Sequence, residues 1–349
     1  MSAMGGAGRA GPARPAGRVR PAGRVRPTER VRLTERVVVV TKRTALEELV
    51  ERFNTREQAR FYLEHMGLGA SFEGHQTAHD AYGRALAALK AALPGGVRSA
   101  FIERAFVPTY TFGERDLVVT LGPDGLVVNV AKYLRGHPLL AFNPDPARVD
   151  GVLVPFDVGQ AAPLLPRALR GDVAVASISM AHVELNDGQR LHAVNDLFIG
   201  RRTHVSARYQ LRRRGRVEDQ SSSGVIVSTG AGSTGWLRAV LTGAAGIVGE
   251  YAPAADAGLV ADAYRFSWES DHLVYAVREP FPSKSSAARD VCGRIEAGEA
   301  LEIVSQMPQD GVIFGDGIEE DALQFNSGAI ARVGLADEKV RLIVPGSVP

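Results

Sequence analysis

The chain has 349 residues, 41 Lys and Arg against 39 Asp and Glu, and 45% apolar residues. That length fits about two domains at the usual ~150 residues each, with enough apolar side chains for a sizeable core. The balanced charge gives no reason to expect nucleic acid as the main partner. No apolar run approaches the roughly 20 residues of a membrane span, no secretory segment is visible, and the single cysteine, Cys292, excludes an internal disulfide.

Residues 1–26 carry six arginines and no acid, and the hexamer PAGRVR repeats at 15–20 and 21–26 before passing into PTERVR and LTERV. Pro and Gly at this density oppose a helix and leave few side chains for a core, so residues 1–35 are expected to be a disordered tail. The rest of the chain suits a reducing, cytoplasmic compartment. An Arg-rich, acid-free tail also admits an organelle address, which would place the protein in the mitochondrial matrix.

The folded region is expected to start with four valines, Val37 to Val40, which read as a buried parallel strand. Thr44, with Glu47 three residues on, predicts a capped helix over 45–65, and a second helix is expected over 77–92 before Pro94-Gly95-Gly96. Strands are expected near 99–106, 117–121 and 138–142, with a helical segment over 126–134. The alternation predicts a Rossmann-like α/β domain over 36–150. Beyond residue 150 the segments 172–185, 191–199, 203–211, 223–229, 270–278, 300–306 and 329–344 are short and β-prone. Only 233–247 and a stretch near 255–265 read as helical. A β-sandwich domain is therefore expected over 151–349, its last strand free to return to the first domain, with a ligand cleft between the two.

Three constellations carry chemistry. Leu117 to Leu121 run into Gly122-Pro123-Asp124-Gly125, and a helix follows. A Gly-flanked acid at the carboxyl end of a buried strand can present a carboxylate and backbone N–H groups to a phosphate, or can be a simple turn. Asn195-Asp196 interrupt an apolar β-prone run, so the pair either closes a hydrogen-bond network, binds a ligand, or marks an edge. Val225 to Ser228 lead into the Gly-, Ser- and Thr-rich loop 229–235, where small residues allow close approach to an anionic ligand. Ser233 and Thr234 stand at a helix start, and Trp236 is available to stack on a base or to join the core. Gly315-Asp316-Gly317 with Glu319-Glu320-Asp321 lacks metal-ligand spacing and reads as a solvated acidic turn. His182, His192 and His204 show no such spacing either.

In order and spacing these three constellations resemble the NAD kinase family, whose members carry a Gly-Gly-Asp-Gly turn, an Asn-Glu or Asn-Asp pair and a Gly-Ser-Thr loop. The string Val194 to Gly200, the loop from Ser222 to Trp236, Val277-Arg278-Glu279-Pro280 and Phe325 to Ala329 are similar to the mitochondrial-type branch. The resemblance covers about 36–345. It implies an α/β domain followed by a β-sandwich, and transfer of a phosphoryl group from ATP or another donor to the 2′-hydroxyl of the adenosine ribose of NAD, giving NADP. It implies Asp124 as general base, Asn195 and Asp196 on the adenosine half, and Ser233 and Thr234 on the nucleotide. Gly122 and Gly125 would shape a phosphate cradle, Mg²⁺ would accompany the donor, and a homodimer would be the assembly; no metal ligand is assigned. Two positions depart from the pattern. Pro123 replaces a glycine and removes an N–H, and Leu126 replaces a threonine and removes a hydroxyl. These losses leave open a catalytically weak or inactive NAD-binding relative, or a kinase of another hydroxylated substrate such as a lipid or sugar.

Overall fold

The computed structural model describes residues 35–65, 72–251 and 264–346. The expected tail over 1–35, apart from Glu35, and nearly all of the helical stretch near 255–265 lie outside the described residues.

The first lobe runs β1 (Arg36–Thr41), α1 (Ala45–Phe53), α2 (Arg56–His65), α3 (Phe72–Ala92), β2 (Arg98–Glu103), β3 (Asp116–Leu121), α4 (Asp124–Ala131), β4 (Pro138–Asn143), the short β5 (Phe156–Asp157) and α5 (Ala161–Leu169). Its strands pair in parallel in the order β4-β3-β1-β2. Val37 to Val40 are fully buried because the sheet is covered on both faces, which is why the strand is apolar at every position rather than at alternate ones. One face packs on α4; α3 and α5 cover the other.

Two expectations in this lobe need correction. The helix expected over 45–65 is two helices, because Asn54 adopts a left-handed φ of 65° and closes α1, and the Thr55 hydroxyl accepts the Gln58 N–H to begin α2. The Thr44–Glu47 capping box forms at the start of α1. The second difference is α5, a helix where none was expected. Pro163 and Pro166 hide it from propensity, yet Ala161, Leu164, Leu165 and Ala168 bury one face of it against the sheet.

The second lobe contains β6 (Ala174–Leu185), β7 (Arg190–Ala193), β8 (Asp196–Arg201), β9 (Ala207–Arg213), β10 (Arg216–Ser222), β11 (Val225–Ser228), α6 (Trp236–Tyr251), β12 (His272–Val277), β13 (Cys292–Glu296), β14 (Leu301–Ser305), β15 (Gly311–Gly315), β16 (Ile318–Gln324) and β17 (Ile330–Val344). A six-stranded antiparallel sheet, β13-β12-β11-β8-β15-β16, packs over β6, β7, β9, β14 and β17 with Leu197, Val227, Tyr275, Ile303 and Phe325 in the shared core. Strands β10, β13, β15 and β16 had no counterpart in the expected set. Their charged or glycine-bearing alternation, as in Arg216 to Ser222, hides one-sided strands.

The two lobes share one sheet. β17 is antiparallel to β6 along nearly its whole length; it also pairs antiparallel with β14 over Ile330–Val333 and, near its end, parallel with β4, with Arg341 beside Pro138 and Leu342 beside Leu139. The parallel strands of the first lobe and half of the sandwich thus form one eleven-stranded sheet.

Candidate active site

The site is built where β3 ends, at the carboxyl edge of the parallel strands, facing the β7–β8 corner. Gly122 continues β3 by donating to Phe142 O at 3.1 Å. A Cβ on Gly122 would stand 2.7 Å from Leu126 Cδ2 and 3.2 Å from its Cβ, so a side chain there would push the Leu126 side chain aside. Pro123, with φ near −75°, is the residue that caps α4, and Asp124 is the first residue of the helix. Both Asp124 carboxylate oxygens are anchored: Oδ1 accepts Leu153 N–H at 2.9 Å, and Oδ2 accepts Val152 N–H at 2.9 Å.

Opposite stands the Asn195-Asp196 pair. The apolar run expected over 191–199 is broken here, since β7 ends at Ala193 and β8 starts at Asp196. The corner is held by Asp316, whose carboxylate accepts the N–H groups of Val194 at 3.0 Å, Asn195 at 2.7 Å and Asp196 at 3.4 Å, while Asp316 N–H donates to Asp196 O at 2.9 Å. Gly315-Asp316-Gly317 is therefore a clamp rather than a solvated acidic turn, and Asp321 further on meets the buried Lys132 at 2.6 Å. Asp196 Oδ1 is buried and makes no hydrogen bond with the described residues. Burial, with repulsion from Asp316 adding to it, pushes the Asp196 carboxyl up to about 7; the Ser228 hydroxyl opposes the shift. Burial likewise raises Asp316 to about 6 against the pull of its N–H donors and Lys132.

The third wall is the loop after β11. Thr229 N–H donates to Asn195 O at 2.9 Å and its hydroxyl donates to Val194 O, tying the loop to the corner. The Thr229 hydroxyl in turn accepts Gly232 N–H at 3.2 Å. A Cβ on Gly232 would lie 2.2 Å from Asn195 O, and one on Gly230 would lie 2.0 Å from Ser267 O. Neither position has room for a side chain. The buried Ser233 hydroxyl donates to Gly230 O at 2.8 Å.

These walls enclose a cavity of about 400 Å³ lined by Asp124, Val152, Leu153, Asn195, Asp196, the loop 230–235, Arg238 and the segment 265–268. Of the residues singled out from sequence, Asp124, Asn195, Asp196, Ser233 and Thr234 meet there. Gly122 lies beneath Leu126, and Gly125 is exposed on the first turn of α4; neither lines the cavity. Nor does Trp236, whose indole stacks on Phe198 at 5.6 Å and on Phe314 at 6.5 Å with the Arg278 guanidinium 5.4 Å from its centroid. Sequence reasoning missed Asp316, Arg238 and Arg265. The glycines flanking Asp316 were the one available signal. His182 and His192 are cross-strand neighbours on β6 and β7, and among the described residues no three His, Cys, Asp or Glu side chains are grouped to hold a metal.

No protein-family model matches the chain. A segment of 138 residues is 30% identical to an NAD kinase of Geotalea daltonii; it takes in 35% of this chain and only 45% of that protein's length. The yeast NADH kinase crystal structure, solved with NADH, superposes over 90% of this chain and 84% of its own with a TM-score of 0.56 at 14% identity. The Archaeoglobus fulgidus NAD kinase solved in complex with ATP superposes over 88% of this chain and 93% of its own, with a TM-score of 0.53 and 14% identity. The chain has the NAD kinase fold. Within that fold the cavity is formed by the end of β3, the β7–β8 corner and the loop leading into α6, three elements brought together by the eleven-stranded sheet and the β-layer packed on it.

Proposed function

We propose that the protein is an NAD kinase of the mitochondrial-type branch, transferring a phosphoryl group from ATP or another phosphoryl donor to the 2′-hydroxyl of the adenosine ribose of NAD. The observation that carries this reading is the convergence of Asp124, Asn195, Asp196 and the 230–235 loop on one cavity, although they are spread over more than 100 residues of sequence. The partial match to the Geotalea enzyme and the fold shared with kinases solved with NADH and with ATP support it.

In this reading Asp124 accepts the proton of the attacking hydroxyl. The two N–H groups from Val152 and Leu153 fix its orientation, and each carboxylate oxygen keeps a further lone pair for the substrate. A correctly placed general base contributes about 10²–10⁴-fold. Asn195 and Asp196 hold the adenosine half, and Ser233 and Thr234 contact the nucleotide. The described residues offer no three-ligand metal cage. Mg²⁺ arriving on the donor's phosphates keeps several waters and needs few protein ligands, and it would neutralise charge on the transferring group. A homodimer and a cytoplasmic location, or the mitochondrial matrix if residues 1–35 are an address, complete the proposal.

The test is NADP formation by the purified full chain with NAD, Mg²⁺ and either ATP or polyphosphate. Absence of NADP above background, with NAD binding still measurable, refutes the kinase. The turn itself favours a second reading, an NAD-binding relative with little turnover. Pro123 has no N–H to offer, and Leu126 is buried, so the first turn of α4 presents neither a donor nor a hydroxyl at those positions. Pro123→Gly with Leu126→Thr distinguishes the two. A large gain in NADP formation supports the weakened relative, and no gain supports a working variant turn.

A further inference from the structure

Resting on that reading, we propose that Asn143 is a positioning residue: its buried amide pins the loop 144–149, and that loop holds in place the backbone N–H groups that aim the Asp124 carboxylate. The register of the parallel sheet sets this up. Leu121 lies beside Phe142, and Gly122 N–H donates to Phe142 O, so Asn143, the last residue of β4, stands next to the turn that carries Asp124. Asn143 is buried. Its Oδ1 accepts the Asp145 N–H at 3.0 Å, and its Nδ2 donates to Val149 O at 2.7 Å. One planar amide therefore ties both ends of the loop, and it can face only one way, since Asp145 offers a donor and Val149 an acceptor. Inside the loop, Asp145 O accepts the N–H groups of Arg148 at 3.1 Å and Val149 at 3.0 Å, and Pro144 and Pro146 each have a fixed φ.

Beyond Val149 the chain passes through Asp150 and Gly151 and reaches Asp124, where Val152 and Leu153 donate to separate carboxylate oxygens. Core packing does not account for both contacts. Leu153 and Val154 are buried in one cluster with Leu126 and Val127 of α4, but Val152 is 50% exposed. Its N–H is placed by the backbone on either side, and upstream the nearest hydrogen-bonded residue among those described is Val149. Releasing Val149 O from Asn143 loosens the Val152 N–H, frees Asp124 Oδ2 and lets the carboxylate turn away from the hydroxyl it must meet. A misplacement of about 1 Å at a reacting group costs up to about 100-fold in rate. Asn143 does not line the cavity, so the groups that bind nucleotide are untouched.

The test uses the full chain with Asn143→Ala and Asn143→Asp. The aspartate keeps the shape and the acceptor for Asp145 but has no N–H for Val149 O, and it carries the test if circular dichroism shows that the alanine variant does not fold. The expected result is a kcat for NADP formation lower by about 10–100-fold, with KM for NAD and for ATP within about twofold of the parent. Amide hydrogen exchange at Val152 and Leu153 should quicken by at least about tenfold, and that of Val37 to Val40 should not. Combined with Asp124→Asn, the Asn143 substitution should lower kcat no further, because it acts through that carboxylate. The positioning role is overturned if kcat is unchanged in a folded variant, if KM rises instead, if the two substitutions multiply, or if exchange at Val152 and Leu153 stays as in the parent. The two readings fail separately. A parent that forms no NADP removes the kinase, and hydrogen exchange still decides whether Asn143 holds the N–H groups on Asp124. NADP formation indifferent to Asn143 keeps the kinase and removes the positioning residue.

Discussion

Asp196→Asn is predicted to stabilise the protein while weakening its ligand binding. The Asp196 carboxyl is recessed beside Asp316, has one oxygen without a hydrogen bond among the described residues, and is raised by burial from an ordinary 3.8 to about 7. A folded-state value above the unfolded one means that the folded protein holds the proton more tightly. The contribution to stability is full below about pH 4 and is lost as pH rises through about 7. The shift corresponds to about 4 kcal/mol by the time the group is fully ionised. Asparagine has the same shape and never ionises, so it avoids this cost and also relieves Asp316 of a like charge. Urea denaturation followed by circular dichroism at pH 5 and pH 8 gives the comparison. The variant should be more stable than the parent at pH 8, and its advantage should widen by about 2–3 kcal/mol between the two pH values. NAD affinity should fall in the same variant, the usual sign of a group retained for function at the expense of stability. An advantage that does not change with pH, or a variant less stable at pH 8, would refute the assignment of a strained buried acid.

Asp124→Asn should reduce NADP formation by at least about 100-fold. Because the amide can accept only one of the Val152 and Leu153 N–H groups, it should also cost about 1–3 kcal/mol in denaturation; retained turnover removes Asp124 from the role of base. Gly232→Ala places a methyl 2.2 Å from Asn195 O, so NAD titration should show loss of binding even if circular dichroism stays native-like. Lys132→Met leaves Asp321 with the Tyr133 hydroxyl but no cation, and a loss of about 2–4 kcal/mol is expected by denaturant titration. A loss below about 1 kcal/mol would mean that the bridge between the end of α4 and β16 adds little to stability.

The α/β part and the β part were legible because buried parallel strands leave continuous apolar runs, as in Val37 to Val40, whereas several later strands, Ala207–Arg213 and Leu301–Ser305 among them, alternate. What stayed hidden follows from the same physics. α5 carries two prolines, and only its packed face reveals a helix. The break at Asn54 depends on one left-handed residue. At the site, Asp124 stood out as a Gly-flanked acid at the end of an apolar strand, and Asn195 and Asp196 because they interrupt an apolar run. Asp316 did not, since an acid between two glycines in an acidic stretch has the composition of a surface turn; its three backbone partners lie about 120 residues earlier. Trp236 offered a base-stacking ring in the sequence, but the folded protein had already given its faces to Phe198 and Arg278.

The long last strand has a consequence for how this protein can be made and cut. β17 is the neighbour of β4 on one side and of sandwich strands on the other, so the central sheet of the first lobe has an open seam until about residue 341 has been synthesised. A fragment ending near residue 150 would expose the Pro138–Asn143 strand as an unprotected edge, the kind of surface that recruits other chains. The shared sheet is accordingly completed only when both lobes are present, and limited proteolysis near residue 150 should release no soluble amino-terminal piece.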